Sequence, residues 1–370
     1  MSDPTSAPTP TPDPGASPAA EVRFAAELEA LARGDDRARP PGWRLSPAAV
    51  ATYLLGGEAA DGTPIEPKYV GERRRIETAI ATLATDRALL LLGVPGTAKS
   101  WVSEHLAAAI AGDAQLLIQG TAGTDENQLR YGWNYALLLA KGPTEEALVA
   151  TPMMRGMQAG RLVRIEELTR MPSDVQDSLI TILSEKVLPI PELDTQIRAR
   201  PGFNVVATAN SKDKGVNELS AALKRRFNVV VLPLPATAEE EERIVSMRVE
   251  ALGAALELPE VEPAPEAIAR TVQMFRELRE GRTADGRVKL KAPTATLSTA
   301  EAIAALIGGW ADAAHFGSGR IDAHALAPSL LGAVVKDPVQ DKLALEEYME
   351  TVLKGRSGWG DVYRALRDLV

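Results

Sequence analysis

Five short apolar runs punctuate the middle of the chain: "ALLLL" (88–92), "QLLIQ" (115–119), "RLVRIE" (161–166), "FNVVATA" (203–209) and "NVVVLPL" (228–234). The stretches between them are long enough to hold helices. Near-continuous apolar strands alternating with helical patterns predict a parallel sheet covered on both faces. Ahead of the first run, Ile76, Ile80 and Leu83 recur at helical spacing, and after it Val102, Leu106 and Ile110 share one face of a second helix. From "ATAEEEERIVSMRVEALGAAL" onward the periodicity is helical, with Pro and Gly punctuation near 259–265 and 281–293. The pattern divides the chain into a Pro-, Ser- and Thr-rich tail (1–20), expected to be disordered, and a helical segment (21–64). An α/β domain (65–235) and a helical region (236–370) follow.

Composition narrows the chemistry. The 370 residues, 45% hydrophobic and 25% charged, suit two packed domains. A net charge of -9 disfavours a chain whose main task is wrapping nucleic acid. The lack of cysteine excludes disulfides, thiolate metal sites and cysteine nucleophiles. His105, His315 and His324 are dispersed without the spacing of a zinc site and read as structural or surface residues. No leader pattern or membrane-length apolar run is present, so a cytoplasmic location is expected.

The segment "GVPGTAKS" (93–100) joins the first apolar run to the helix carrying Val102. It nearly spells G-x-x-x-x-G-K-[ST], a turn whose N–H groups converge on phosphate at a helix N-terminus. Gly93 and Gly96 allow the turn, Lys99 reaches the β and γ phosphates of ATP, and the Ser100 hydroxyl ligates Mg²⁺. Val94, Pro95, Thr97, Ala98 and Trp101 complete the expected nucleotide-binding set. Ala98 stands in place of a pattern glycine, which is tolerable where φ is negative.

A metal-binding acid and a base belong at a second strand end. "RLVRIEEL" offers Glu166 for Mg²⁺ and Glu167 as general base. Strand alternation puts Arg164 and Glu166 on one side, where they can pair. The bland alternative is an acid pair opening a helix. Asn210, at the end of "FNVVATAN", is placed to orient water, although Asn at a strand end is also common turn chemistry. Arg225 and Arg226 in "ALKRRF" are candidates for an arginine that reaches a neighbouring subunit's phosphate, or else form a solvated charge run.

Taken together in this order, these elements resemble an AAA+ ATPase, in particular the MoxR branch, whose members often carry the loop as G-x-P-G-x-A-K-S. The resemblance covers roughly residues 65–335 and includes "YVGE", "TPMMRGMQAGRLVRIEEL", "MPSDVQDSLITILSEKVLPIP" and "VVATAN". It implies a five-stranded parallel P-loop (AAA+) sheet with helices on both faces, followed by a smaller all-helical lid domain. It further implies Val70 and Gly71 at the adenine pocket, Lys99 and Ser100 on phosphate and Mg²⁺, and Glu166 and Glu167 as the acidic pair. Asn210 would be the sensor and Arg226 or Arg225 the finger in trans. A ring homo-oligomer, a hexamer by that resemblance, a protein client and a von Willebrand A domain partner are implied in the same way. One element departs from the pattern: where a Ser-Pro-Arg sequence would bring a second sensor, the chain has Ser298, Thr299, Ala300 and Glu301. This stretch reads as a helix start with a capping box between Ser298 and Glu301. Arg282 or Arg320 is left as a possible substitute. Two rival functions follow, a nucleotide-gated scaffold with little hydrolysis and a DNA-acting motor, the latter disfavoured by the acidic balance.

Overall fold

The computed structural model describes residues 18–210, 217–262, 264–294 and 296–370. The five apolar runs form β1 (Ala88–Gly93), β2 (Leu117–Gln119), β3 (Leu162–Glu166), β4 (Asn204–Asn210) and β5 (Phe227–Val231). They make one sheet in the order β5-β1-β4-β3-β2, every neighbouring pair parallel. The register sets Asn210 opposite Gly93, so the loop leaving β1 emerges beside the end of β4. The crevice outside such carboxyl ends is where open α/β sheets bind ligands.

The pleat sorts side chains between two cores. Leu89, Leu91, Leu162 and Val206 face helices α1 (Ala25–Arg33), α2 (Pro47–Leu55), α3 (Arg73–Leu83) and α4 (Lys99–Ala111). Ala88, Leu90, Val163, Ile165 and Ala207 face the other way, towards Met153, Met157, Leu179 and Ile182. Ile76, Ile80, Leu83, Val102, Leu106 and Ile110 are all buried in the first core, as their spacing predicts. Leu28, Leu45, Val50 and Tyr53 lie in the same core, so segment 21–64 packs as part of the α/β unit.

The expected disordered tail falls mostly on residues 1–17, outside the described residues. Its last residue does not fit that expectation. Ala20 opens the helical turn Ala20–Arg23, is buried, and donates its N–H to Glu104 at 3.0 Å. Burial of one small apolar side chain and a bond to α4 are enough to order the chain there.

Two antiparallel hairpins interrupt the α/β pattern. Tyr131–Trp133 pairs with Leu148–Ala150 between β2 and β3, and Val187–Ile190 pairs with Thr195–Arg198 between β3 and β4.

Beyond β5, the helices α5 (Ala238–Ala255), α6 (Pro265–Glu280), α7 (Thr299–His315), α8 (Ala323–Val334), α9 (Gln340–Thr351) and α10 (Gly360–Arg367) enclose a separate core. Val245, Phe275, Leu306, Tyr348 and Leu366 are central to it. Among the described residues of this region there is no strand, only isolated bridges. Fully buried Glu241 ties its first three helices together, accepting from Arg276 at 3.0 Å, Arg279 at 2.8 Å and the Thr299 hydroxyl at 2.8 Å. A buried carboxylate is tolerated because it is paired in this way.

Candidate functional site

A cleft of about 990 Å³ opens between the carboxyl end of the sheet and helices α5 and α7. Its floor is the loop before α4. Gly93 and Val94 sit at the foot of that loop, and Pro95 through Trp101 line the wall. A Cβ on Gly93 would lie 2.5 Å from both the Leu232 carbonyl and Thr97 Oγ1, so only glycine fits. Gly96 has φ of 79°, and a side chain there would collide with Ser298 of the lid. Ala98 departs from the expectation of a negative φ. It is left-handed, with φ 60° and ψ 23°, because the chain must reverse between the turn and the first residue of α4. A Cβ in that region costs about 1 kcal/mol. Both the Lys99 ammonium and the Thr97 hydroxyl donate to the Val94 carbonyl, at 2.9 and 3.0 Å, which draws the loop into a closed cradle.

Beside the cradle, the two adjacent acids separate. Glu166 stays in line with β3 on the α4 side, 4% exposed, and accepts from Ser100 Oγ and Thr208 Oγ1, both at 2.6 Å. It also accepts a short bond from Ser103 and one from Arg164 Nη2 at 3.0 Å, the pairing that strand alternation predicts. Arg164 is itself buried and donates to the Ala114 carbonyl at 2.9 Å, so neither charge of the pair lacks partners. Glu167 leaves the strand through a left-handed residue, φ 57°, which turns its carboxylate to the cleft wall. There the Asn210 amide donates to its two oxygens at 3.2 and 3.1 Å, and Arg170 pairs with it at 2.9 Å. A carboxylate aimed by an amide at the wall of a cleft can accept a proton from a water held beside it.

The far end of the cleft is apolar and aromatic. Val70 and Gly71 line it, together with Ile244, Met247, Ile303 and Ile307 of the lid helices. The Trp101 indole N–H donates to the Lys68 carbonyl at 2.8 Å, and its ring packs 4.2 Å from that of His105. His105 is fully buried, with Nδ1 2.8 Å from the Tyr53 hydroxyl, and its pKa is pushed down to about 2 by burial and then by the Lys68 and Arg23 charges. This agrees with a structural role.

On the lid side, Ser298 caps α7 and exchanges bonds with Glu301 in a capping box, as the sequence predicts. Thr299 and Ala300 line the cleft. Arg282 and Arg320 do not substitute for a lid arginine there: they pair with Glu280 and Glu262, each at 3.8 Å, and neither lines the cleft. The lid arginine that does line it is Arg248, which no motif marks. Arg225 and Arg226 also lie outside the cleft. Arg225 is exposed, while Arg226 donates to Ser184 Oγ at 2.8 Å and to the Ala222 carbonyl at 2.9 Å.

The parallel sheet, the glycine-bearing loop at the start of α4, the acid pair and the helical lid are the architecture of the AAA+ class. Residues 88–227 match the AAA domain (dynein-related subfamily), and residues 242–369 match the YehL-like AAA+ ATPase C-terminal domain. The uncharacterized protein YehL of Escherichia coli is 43% identical over 342 residues, covering 90% of this chain and 91% of its own length. The chain belongs to this family of YehL-like AAA+ ATPases. An uncharacterized protein of Staphylococcus haemolyticus is 26% identical over 168 residues, covering 45% of this chain and 63% of its own. Among solved structures, NtrX from Brucella abortus in complex with ADP aligns with a TM-score of 0.48 at 13% identity, over 81% of this chain and 65% of that one.

Proposed function

We propose that this chain binds ATP with Mg²⁺ in the cleft and hydrolyses it, as a MoxR-like ATPase that works in a cytoplasmic ring to remodel or activate a protein client. The observation that carries this reading is the meeting of Lys99, Ser100, Glu167 and Asn210 at one end of the cleft. Lys99 and the N–H groups of the loop hold the β and γ phosphates. Glu167, aimed by Asn210, takes the proton of the attacking water. Ser100 Oγ and the Glu166 carboxylate, 2.6 Å apart, are the hard oxygen donors that suit Mg²⁺. The ion, when bound, offsets phosphate charge. Arg226 or Arg225, outside its own subunit's cleft, is the finger offered to a neighbour, so turnover rises with protein concentration. A hexamer and a von Willebrand A domain partner are proposed by analogy with the MoxR branch.

A second reading, a nucleotide-gated scaffold with little hydrolysis, is favoured by the four donors that already hold Glu166, one of them the Arg164 guanidinium. Glu167→Gln separates the two. Turnover by wild type, with binding but no turnover by the variant, supports the motor. Tight ATP binding without turnover by wild type at high protein concentration supports the scaffold. Stimulation of turnover by DNA would instead favour a nucleic-acid motor.

A further inference from the structure

The arginines of the lid differ in how they are held. Arg276 and Arg279 bind Glu241, and Arg270 pairs with Glu266 and with Asp361. Arg248, on α5, makes no hydrogen bond or ion pair among the described residues, yet it is half-buried and lines the cleft. Its guanidinium lies 3.8 Å from the centre of the Trp101 ring, close enough for a cation–π contact. The Arg23 guanidinium approaches the same ring at 4.8 Å. Burial, and then the charge of Arg23, lower the pKa of Arg248. A planar cation is thus fixed in position by an aromatic ring while its donors lack a protein acceptor. An acceptor arriving in the cleft would gain a charge-assisted bond at little ordering cost.

The position of Trp101 says which part of a ligand would arrive. Lys99 and Ser100 occupy the phosphate end, and Trp101 is the next residue. Its indole leans towards Lys68, in the segment that leads to Val70 and Gly71. Arg248 therefore sits at the nucleoside end, not over the terminal phosphate.

We propose that Arg248, seated on Trp101, is the lid's nucleotide-binding arginine: it donates to acceptors of the base and ribose and so draws α5 onto the bound nucleotide. This assigns lid contact to α5, whereas the start of α7, Ser298-Thr299-Ala300, carries no arginine. The inference rests on the reading that the cleft binds ATP.

The test is calorimetric titration of the full chain and its Arg248→Ala, Arg248→Lys and Lys99→Ala variants with ATP, with ADP and with magnesium tripolyphosphate, which has no nucleoside. Thermal melting checks that each variant is folded. Arg248→Ala is expected to weaken ATP and ADP by about tenfold, the scale of one hydrogen bond to a charged group, and to leave tripolyphosphate within about twofold. Arg248→Lys, which lacks the planar fork, does not restore affinity. Lys99→Ala weakens all three ligands. Wild-type ATP affinity in Arg248→Ala overturns the inference while the Lys99 effect keeps the cleft reading. Equal losses for ATP and tripolyphosphate overturn it too, because they place Arg248 on phosphate. Binding of ATP that is indifferent to Lys99 removes the cleft reading and this inference with it.

Discussion

The side-chain amide of Asn210 donates to both oxygens of Glu167, so the last residue of β4 aims the carboxylate that follows β3. The arrangement depends on the left-handed turn at Glu167, which separates it from Glu166 and its buried partners. Neighbours in sequence thereby acquire different surroundings: one acid is fixed beneath the loop before α4, the other faces the cleft.

Removing the amide should disturb the base and spare the cradle. Asn210→Ala is expected to lower kcat by about 10- to 100-fold, up to the lower end of the roughly 10²- to 10⁴-fold contributed by a positioned base, because the base is misaimed and not removed, with ATP affinity changed by less than about threefold. Steady-state kinetics alongside direct titration check this. A loss of affinity with kcat intact would assign Asn210 to nucleotide binding instead.

Ala98 carries backbone strain that a glycine would release. Ala98→Gly should stabilise the fold by about 0.5–1 kcal/mol, because relief of the left-handed Cβ exceeds the added freedom of glycine in the unfolded chain. Urea unfolding midpoints measure it. A variant less stable than wild type would mean that the turn is unstrained.

His105 makes stability depend on acid. Its folded pKa, about 2, lies below the ordinary value of 6.5, so the unfolded chain binds the proton first. Its contribution is complete about a pH unit above 6.5 and, below about pH 5.5, falls by about 1.4 kcal/mol per pH unit on the way down towards pH 2. Between pH 6.5 and pH 5, wild type should lose about 1.6 kcal/mol more than His105→Phe, as read from urea unfolding at each pH. An equal loss in the two proteins would show that the imidazole accepts its proton without cost.

Much of this was legible because short-range rules apply. The five strands show as apolar runs, the Arg164–Glu166 pair follows from the period of two, and the Ser298 capping box follows from a spacing of three. Other features depend on the backbone or on distant packing. The left-handed turns at Ala98 and Glu167 occur at residues that do not favour them, and tertiary contacts impose both. The three-residue strands Tyr131–Trp133 and Leu148–Ala150 are too short to show an alternation. The contact of Arg248 with Trp101 joins residues far apart in sequence through lid packing, which no local pattern records.

The central claim, that the loop before α4 holds the phosphates of ATP, is tested most directly by titrating Lys99→Ala with ATP in the presence of Mg²⁺ and comparing it with wild type. Affinity at least about 100-fold weaker, in a variant that melts like wild type, is the result this account predicts for a lost ammonium–phosphate contact. Affinity equal to that of wild type would contradict it.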